Sequence, residues 1–193
     1  MRVVAGEFGG RPLSAVPGSL TRPTTDKVKE AMFSMIGPYF DGGRVLDLFA
    51  GSGGLAIEAV SRGMAEAVLV DHQYQAIKTI KANIAVTKSA DQFTVIKGEA
   101  NNVLKRLVAE EQRFDLILLD PPYAKQKIID NLNFMAANGL LNDGAQVIAE
   151  TNQEAQLPEN FGAFTQTHHR DYGITDVMVY RYQVIKKETG EDE

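Results

Sequence analysis

Apolar residues along this chain fall into two alternating patterns. Short runs, "RVLDLF" (44–49), "EAVLVD" (66–71), "FTVIKG" (93–98), "FDLILLD" (114–120) and "AQVIAE" (145–150), have the length and density of strands buried on both faces. Between them, "GGLAIEAVSRG" (53–63), "YQAIKTIKANIAVT" (74–87), "ANNVLKRLVAEE" (100–111) and "KIIDNLNFMAAN" (127–138) repeat apolar positions at helical spacing. This alternation predicts βαβ units and a mostly parallel sheet covered on both faces. The last two apolar segments, "AFTQTHHR" (163–170) and "TDVMVYRYQVI" (175–185), have no helix between them. They predict an antiparallel hairpin at one sheet edge, turning near Tyr172 and Gly173 and bringing the sheet to seven strands.

The first forty residues follow neither pattern. Residues 1–20 mix Gly, Pro and short apolar alternation, which predicts a small hairpin or extended arm. "TRPTTDKVKEAMFSMIG" (21–37) then starts a helix. Thr24 or Thr25 is the N-cap, Val28, Met32, Phe33, Met35 and Ile36 give an apolar face, and Gly37-Pro38 ends it. The expected organisation is an N-terminal arm plus helix (1–43), one α/β domain (44–185) and a frayed tail (186–193).

Composition narrows the class. A chain of 193 residues can bury a core without staples, and with no cysteine it has neither disulfides nor thiolate metal sites. No apolar run reaches the roughly 18 residues that span a bilayer, and the N-terminus lacks a signal-peptide core, so a cytoplasmic, unanchored protein is expected. The net charge of −5 argues against a general nucleic-acid binder. Its distribution is uneven. Residues 1–44 hold six Lys/Arg against four Asp/Glu, while the remainder holds 14 against 21. A mildly basic arm on an acidic body could touch phosphates locally.

The candidate chemistry lies where strands end. "VLDLFAGSGGLA" (45–56) occupies the first strand-to-helix turn, beside the crevice where open α/β sheets bind ligands. Gly51, Gly53 and Ala56 satisfy a G-x-G-x-x-G/A pattern, and Asp71 follows Gly51 by 20 residues at the next strand's end. That arrangement alone serves NAD as well as S-adenosylmethionine. Asp47 favours the second, because a carboxylate there would repel a pyrophosphate but suits an α-ammonium and a sulfonium. Capping of local backbone amides is its purely structural alternative. Asp71 could accept both ribose hydroxyls, and Glu99, at the third strand's end, could accept from an adenine amino group or simply favour a helix dipole.

"DPPY" (120–123) ends the fourth strand at the same rim. An exocyclic amine on a base is a poor nucleophile because its lone pair is delocalised. A fixed carboxylate, Asp120, and a carbonyl at Pro121 could accept its hydrogens. Pro121 and Pro122 stiffen the loop, and Tyr123 offers a stacking face for an extruded base. Methyl transfer from sulfur would be an in-line displacement in which positioning supplies most of the catalysis. No metal is expected: His72, His168 and His169 lack ligand spacing, and the last two would point to opposite faces of a strand.

On "MRVVAGEFGGRPL", "TRPTTDKVKEAMFSMI", "VLDLFAGSGGLAIEAVSRG", "DPPY" and the closing "YGITDVMVYRY", the chain resembles the RsmD family of 16S ribosomal RNA guanine-N2 methyltransferases over about residues 1–185. The resemblance implies the Rossmann-like S-adenosylmethionine-dependent methyltransferase fold. It implies a cofactor site of Asp47, Phe49, Ala50, Gly51, Ser52, Gly53, Asp71, His72, Glu99 and Ala100. Asp120, Pro121, Pro122 and Tyr123 would hold the target guanine, and Arg2, Arg11 and Arg22 would meet RNA. Two departures stand out: the ribose acid is Asp71 where the family often has Glu, and the motif ends in Tyr123 where it often has Phe. Low basicity favours a small-subunit particle over naked RNA as substrate, and nothing demands a partner subunit, so a monomer is expected. The competing readings are an adenine-N6 methyltransferase of DNA or RNA, methylation of a protein amide, a dinucleotide oxidoreductase and an idle RNA-binding assembly factor.

Overall fold

The computed structural model describes residues 1–18, 24–122 and 124–186. Among them the chain forms five α-helices and eight strands: α1 (Asp26–Ile36), β1 (Arg44–Asp47), α2 (Gly54–Ser61), β2 (Glu66–Asp71), α3 (Tyr74–Thr87), β3 (Phe93–Lys97), α4 (Ala100–Ala109), β4 (Phe114–Leu119), α5 (Ala124–Ala137), β5 (Leu141–Thr151), β6 (Asn160–Phe161), β7 (Phe164–Asp171) and β8 (Asp176–Tyr182). They make one sheet in the order β3-β2-β1-β4-β5-β8-β7-β6. The first five strands in that order run parallel, and β8, β7 and β6 follow antiparallel.

Two details depart from the expectation. The sheet has an eighth strand, β6, because Gly162 (φ 53°) closes a two-residue hairpin that is too short to show alternation. β5 begins four residues early, at Leu141: "NDG" reads as a turn but is absorbed as an irregularity in the pairing with β4. The terminal hairpin turns at Tyr172–Gly173 as expected, yet its second strand, β8, lies inside the sheet against β5.

Each face of the sheet has its own core. Val45, Leu69, Leu116, Leu118, Ile148, Val177 and Val179 pack with α1, α2, α3 and the N-terminal arm. Leu46, Val68, Val70, Ile117, Val147, Met178 and Tyr180 pack with α4 and α5. Alternate residues of a strand share a face, so near-continuous apolar strands feed both cores.

The arm closes on itself, the Val3 amide donating to the Arg11 carbonyl (3.0 Å) and the Leu13 amide to that of Met1 (2.9 Å), and is fastened to the domain. Val3, Phe8 and Leu13 enter the first core. The wholly buried Glu58 of α2 accepts the amide protons of Val4 (2.8 Å) and Ala5 (3.1 Å), and it faces Lys29 of α1 (3.6 Å) and Arg62 (2.9 Å). Burial pulls the Lys29 ammonium down, against the opposing pull of Glu58. Thr25 caps α1, its Oγ1 accepting from the Val28 amide. Gly37 follows α1 and joins Pro38 through a cis peptide.

Candidate active site

β1 has β2 on one side and β4 on the other, so the strand order reverses there and a crevice opens beyond the strands' carboxyl ends. The glycine loop lies across it. Gly51 (φ 56°) and Gly53 (φ 81°) take left-handed conformations. A Cβ on Gly53 would press Leu69 at 3.0 Å, whereas one on Gly51 would meet nothing within 4 Å and would project into the open crevice. The loop is held from behind. Asn83 of α3, buried, donates to the carbonyls of Ser52 and Ser14 and accepts the Ser14 amide proton at 2.8 Å.

Four acids line the rim of this crevice. Asp71 follows Leu69, Asp47 follows Val45, Asp120 follows Leu118 and Glu150 follows Ile148, each two residues on, so all four fall on the α1–α3 face. Leu119 pairs with Ala149, which sets Asp120 level with Glu150 on the neighbouring strand. Among the described residues no Lys or Arg forms an ion pair with any of the four.

Their environments differ. Asp71 Oδ2 accepts the Gly51 amide proton at 3.0 Å and Oδ1 that of Gln73 at 2.9 Å, leaving each oxygen a further lone pair. Asp47 is buried, and desolvation, followed by the charges of Asp120 and Asp71, pushes its carboxyl up to about 8 against a bond from the Phe49 amide. Asp47 thus accepts a local amide from a buried position at the carboxyl end of β1. Asp120 is open to solvent on its outer side, while desolvation within and then Glu150 raise it to about 7. Glu150 is raised by burial, which a bond from Thr24 Oγ1 (3.2 Å to Oε2) partly offsets.

The remaining candidates are spread over several places. Phe49, Glu99 and Ala100 meet at a cavity of about 120 Å³ between α4 and α5, joined there by Asn101, Lys127 and Asn131. Single-water sites need only roughly a tenth of that volume. Glu99 is the N-cap of α4 but makes no capping bond with its side chain, so its carboxylate is free for the cavity. Ala50 and Ser52 belong to the glycine loop, and His72 stands exposed beside Asp71, Nδ1 to Oδ1 3.9 Å. Pro121 is buried and Pro122 exposed. Arg2 pairs on the surface with Asp26 at 2.7 Å, and Arg11 Nη1 donates to the Thr87 carbonyl at 2.5 Å, closing the end of α3. Tyr123, Arg22 and the tail from 187 onward lie outside the described residues.

Sequence reasoning missed Glu150, Thr24 and Asn83. Glu150 carried the one available signal, being an acid that ends a buried strand as Asp71 and Asp120 do.

This rim fits S-adenosylmethionine in its donor set: anionic groups for an ammonium and a sulfonium, acceptors for ribose hydroxyls, and a glycine loop open to a ligand. The fold and rim define an S-adenosylmethionine-dependent methyltransferase. A solved Escherichia coli protein, provisionally titled a methyltransferase, superposes with a TM-score of 0.81 at 28% identity, over 96% of this chain and 99% of that one. Residues 1–181 match the family model described as Conserved hypothetical protein 95, and the chain belongs to that family, the RsmD family of ribosomal RNA methyltransferases. YlbH of Bacillus subtilis (strain 168), provisionally named an rRNA methyltransferase, is 45% identical over 94% of this chain and 98% of its own length. Ribosomal RNA small subunit methyltransferase D of Escherichia coli (strain K12) is 30% identical over 82% of this chain and 78% of its own.

Proposed function

We propose that this rRNA methyltransferase acts on the exocyclic N2 amine of one guanine in 16S rRNA, within a small-subunit particle in the cytoplasm. The observation that carries the site assignment is the row of carboxylates on one face of the sheet, which takes in the Asp120-Pro121-Pro122 turn. The small-subunit methyltransferase among the relatives supports the choice of RNA, and the guanine rests on the family resemblance.

S-adenosylmethionine, when bound, supplies a methyl group on a sulfonium and departs as the neutral thioether. Asp47 would neutralise its α-ammonium, Asp71 would accept ribose hydroxyls, and Phe49, Glu99 and Ala100 would receive the adenine. Asp120 and the Pro121 carbonyl would accept the two hydrogens of the target amine, turning its lone pair out of conjugation. The methylated nitrogen must then lose one proton. An acid whose carboxyl is pushed up to about 7 beside a second raised acid is suited to take it near neutral pH. Arg2 and Arg22 are proposed contacts of the arm with RNA. Arg11 already closes α3.

The test is transfer of a labelled methyl group to naked 16S rRNA, to small subunits lacking the modification and to duplex DNA, each then digested to nucleosides. Label in N2-methylguanosine from the subunits, above that from naked RNA, is the expected result. Label in N6-methyladenine would overturn the guanine assignment and keep the site.

A further inference from the structure

The charge along the rim reverses beyond β5. Glu150 pairs with Val177 of β8, and Val177 pairs with Arg170 of β7. Directly paired residues share a face, so Arg170 lies on the same side of the sheet as the four acids, two strands or roughly 10 Å from Glu150. At that level β7 is the outermost strand among the described residues, because β6 pairs only with Phe164 and Thr165. A groove of about 370 Å³ runs there between α1 and the hairpin, lined by Ala31, Ser34 and Met35 on one wall and His168, Arg170 and Tyr172 on the other. No acid lines it. Two acids next in sequence to its lining residues are engaged elsewhere: Glu30 pairs with Arg62 at 2.6 Å, and Asp171 accepts from Gly173 and Gln153.

Building on the RNA reading above, we propose that this groove takes the single-stranded RNA flanking the target nucleotide. Arg170 pairs with a phosphate, and the half-buried ring of Tyr172 faces a neighbouring base. Three properties fit that occupant. The exposed guanidinium has one donor on the His169 carbonyl (3.1 Å) and a planar fork that matches phosphate oxygens. The wall combines an aromatic ring with apolar Ala31 and Met35, the mixture on which splayed bases stack. The groove also continues the rim at which the target amine would be held, so one strand could lie across both. An acidic protein can bind RNA locally in this way, with the acids gathered around the cationic cofactor and the base placed along the strand's path.

The experiment compares wild type with Arg170→Ala and Ser34→Glu. The second introduces a carboxylate from the opposite wall at an exposed helix position that tolerates it. Methyl transfer to small subunits lacking the modification and to naked 16S rRNA, and direct RNA binding, are measured at several salt concentrations, alongside S-adenosylmethionine affinity. Each variant should raise the KM for RNA by about tenfold, far more than it changes kcat. Arg170→Ala should also lower the salt slope of RNA binding by roughly one. S-adenosylmethionine affinity should stay at the wild-type value. A wild type that labels RNA, with both variants matching it in KM and salt slope, overturns the groove alone. A wild type that labels no RNA overturns the RNA reading and the groove with it. Parallel loss of S-adenosylmethionine affinity in both variants also overturns the groove, by placing these residues in the fold instead of the RNA path.

Discussion

Asp120 and Glu150 stand level on adjacent strands, and each raises the cost of ionising the other. Asp120→Asn keeps the shape but turns one acceptor into a donor and removes the site for the amine's proton. Methylation should fall by at least about 100-fold, with the circular dichroism of the wild type and an unfolding midpoint no lower than its own, because the raised carboxyl costs the fold stability near neutral pH. Glu150→Gln tests the pairing itself. Without the neighbouring negative charge the Asp120 carboxyl ionises more easily, so its raised pKa falls and the acidic limb of the kcat profile should move to lower pH. A limb that stays in place would detach Glu150 from the reaction. Such pairs titrate together, and the limb belongs to the pair. In the sequence Asp120 was legible because two prolines and a ring follow it. Glu150 was not, since only the pairing of β5 with β4 brings it beside that motif, and pairing between strands thirty residues apart leaves no local mark.

At the scale of elements, the N-terminal arm depends on charges that the domain buries. Glu58, wholly buried, has two backbone amides, an ammonium and a guanidinium around it. Replacing it by Ala leaves the buried Lys29 without its ion-pair partner and Arg62 with Glu30 alone, so Glu58→Ala should cost about 3–5 kcal/mol in urea unfolding. Hydrogen exchange at Val4 and Ala5 should accelerate before the sheet opens. An unfolding midpoint within error of wild type would show that the arm docks by apolar contact alone. The α/β body was legible for a simple reason: each strand is a dense apolar run bounded by glycine or an acid, and each helix has its own period. The bounds of β2 and α3 match the sequence pattern residue for residue. The arm's docking was not legible, because "MRVVAGEFGG" has no period and its partner Glu58 lies in the middle of a helix, where a glutamate reads as solvent-facing. The sheet order around β8 was equally hidden, since a hairpin's sequence does not say which of its strands faces inward.

The whole molecule couples folding, protons and ligand through Asp47. Its carboxyl titrates near 4 in an unfolded chain and is pushed up to about 8 in the fold. A group raised by folding contributes stability that is complete below its unfolded value and is lost as pH rises through the folded one. The free protein should therefore lose stability between about pH 4 and pH 8, at a slope of up to about 1.4 kcal/mol per pH unit from this group. A cation beside Asp47 reverses the sign, because it favours the carboxylate and lowers the bound-state pKa. Binding S-adenosylmethionine at pH 7 should then release a proton, its affinity should rise from pH 6 to pH 8, and its stabilisation of the fold should be larger at pH 8 than at pH 6. Titration calorimetry in two buffers of different ionisation enthalpy reads the proton directly. In Asp47→Asn, which has no proton to give, the buffer dependence should shrink and affinity should fall. Proton release equal in wild type and variant would assign the linkage to another acid of the rim and leave Asp47 as a local cap for the Phe49 amide.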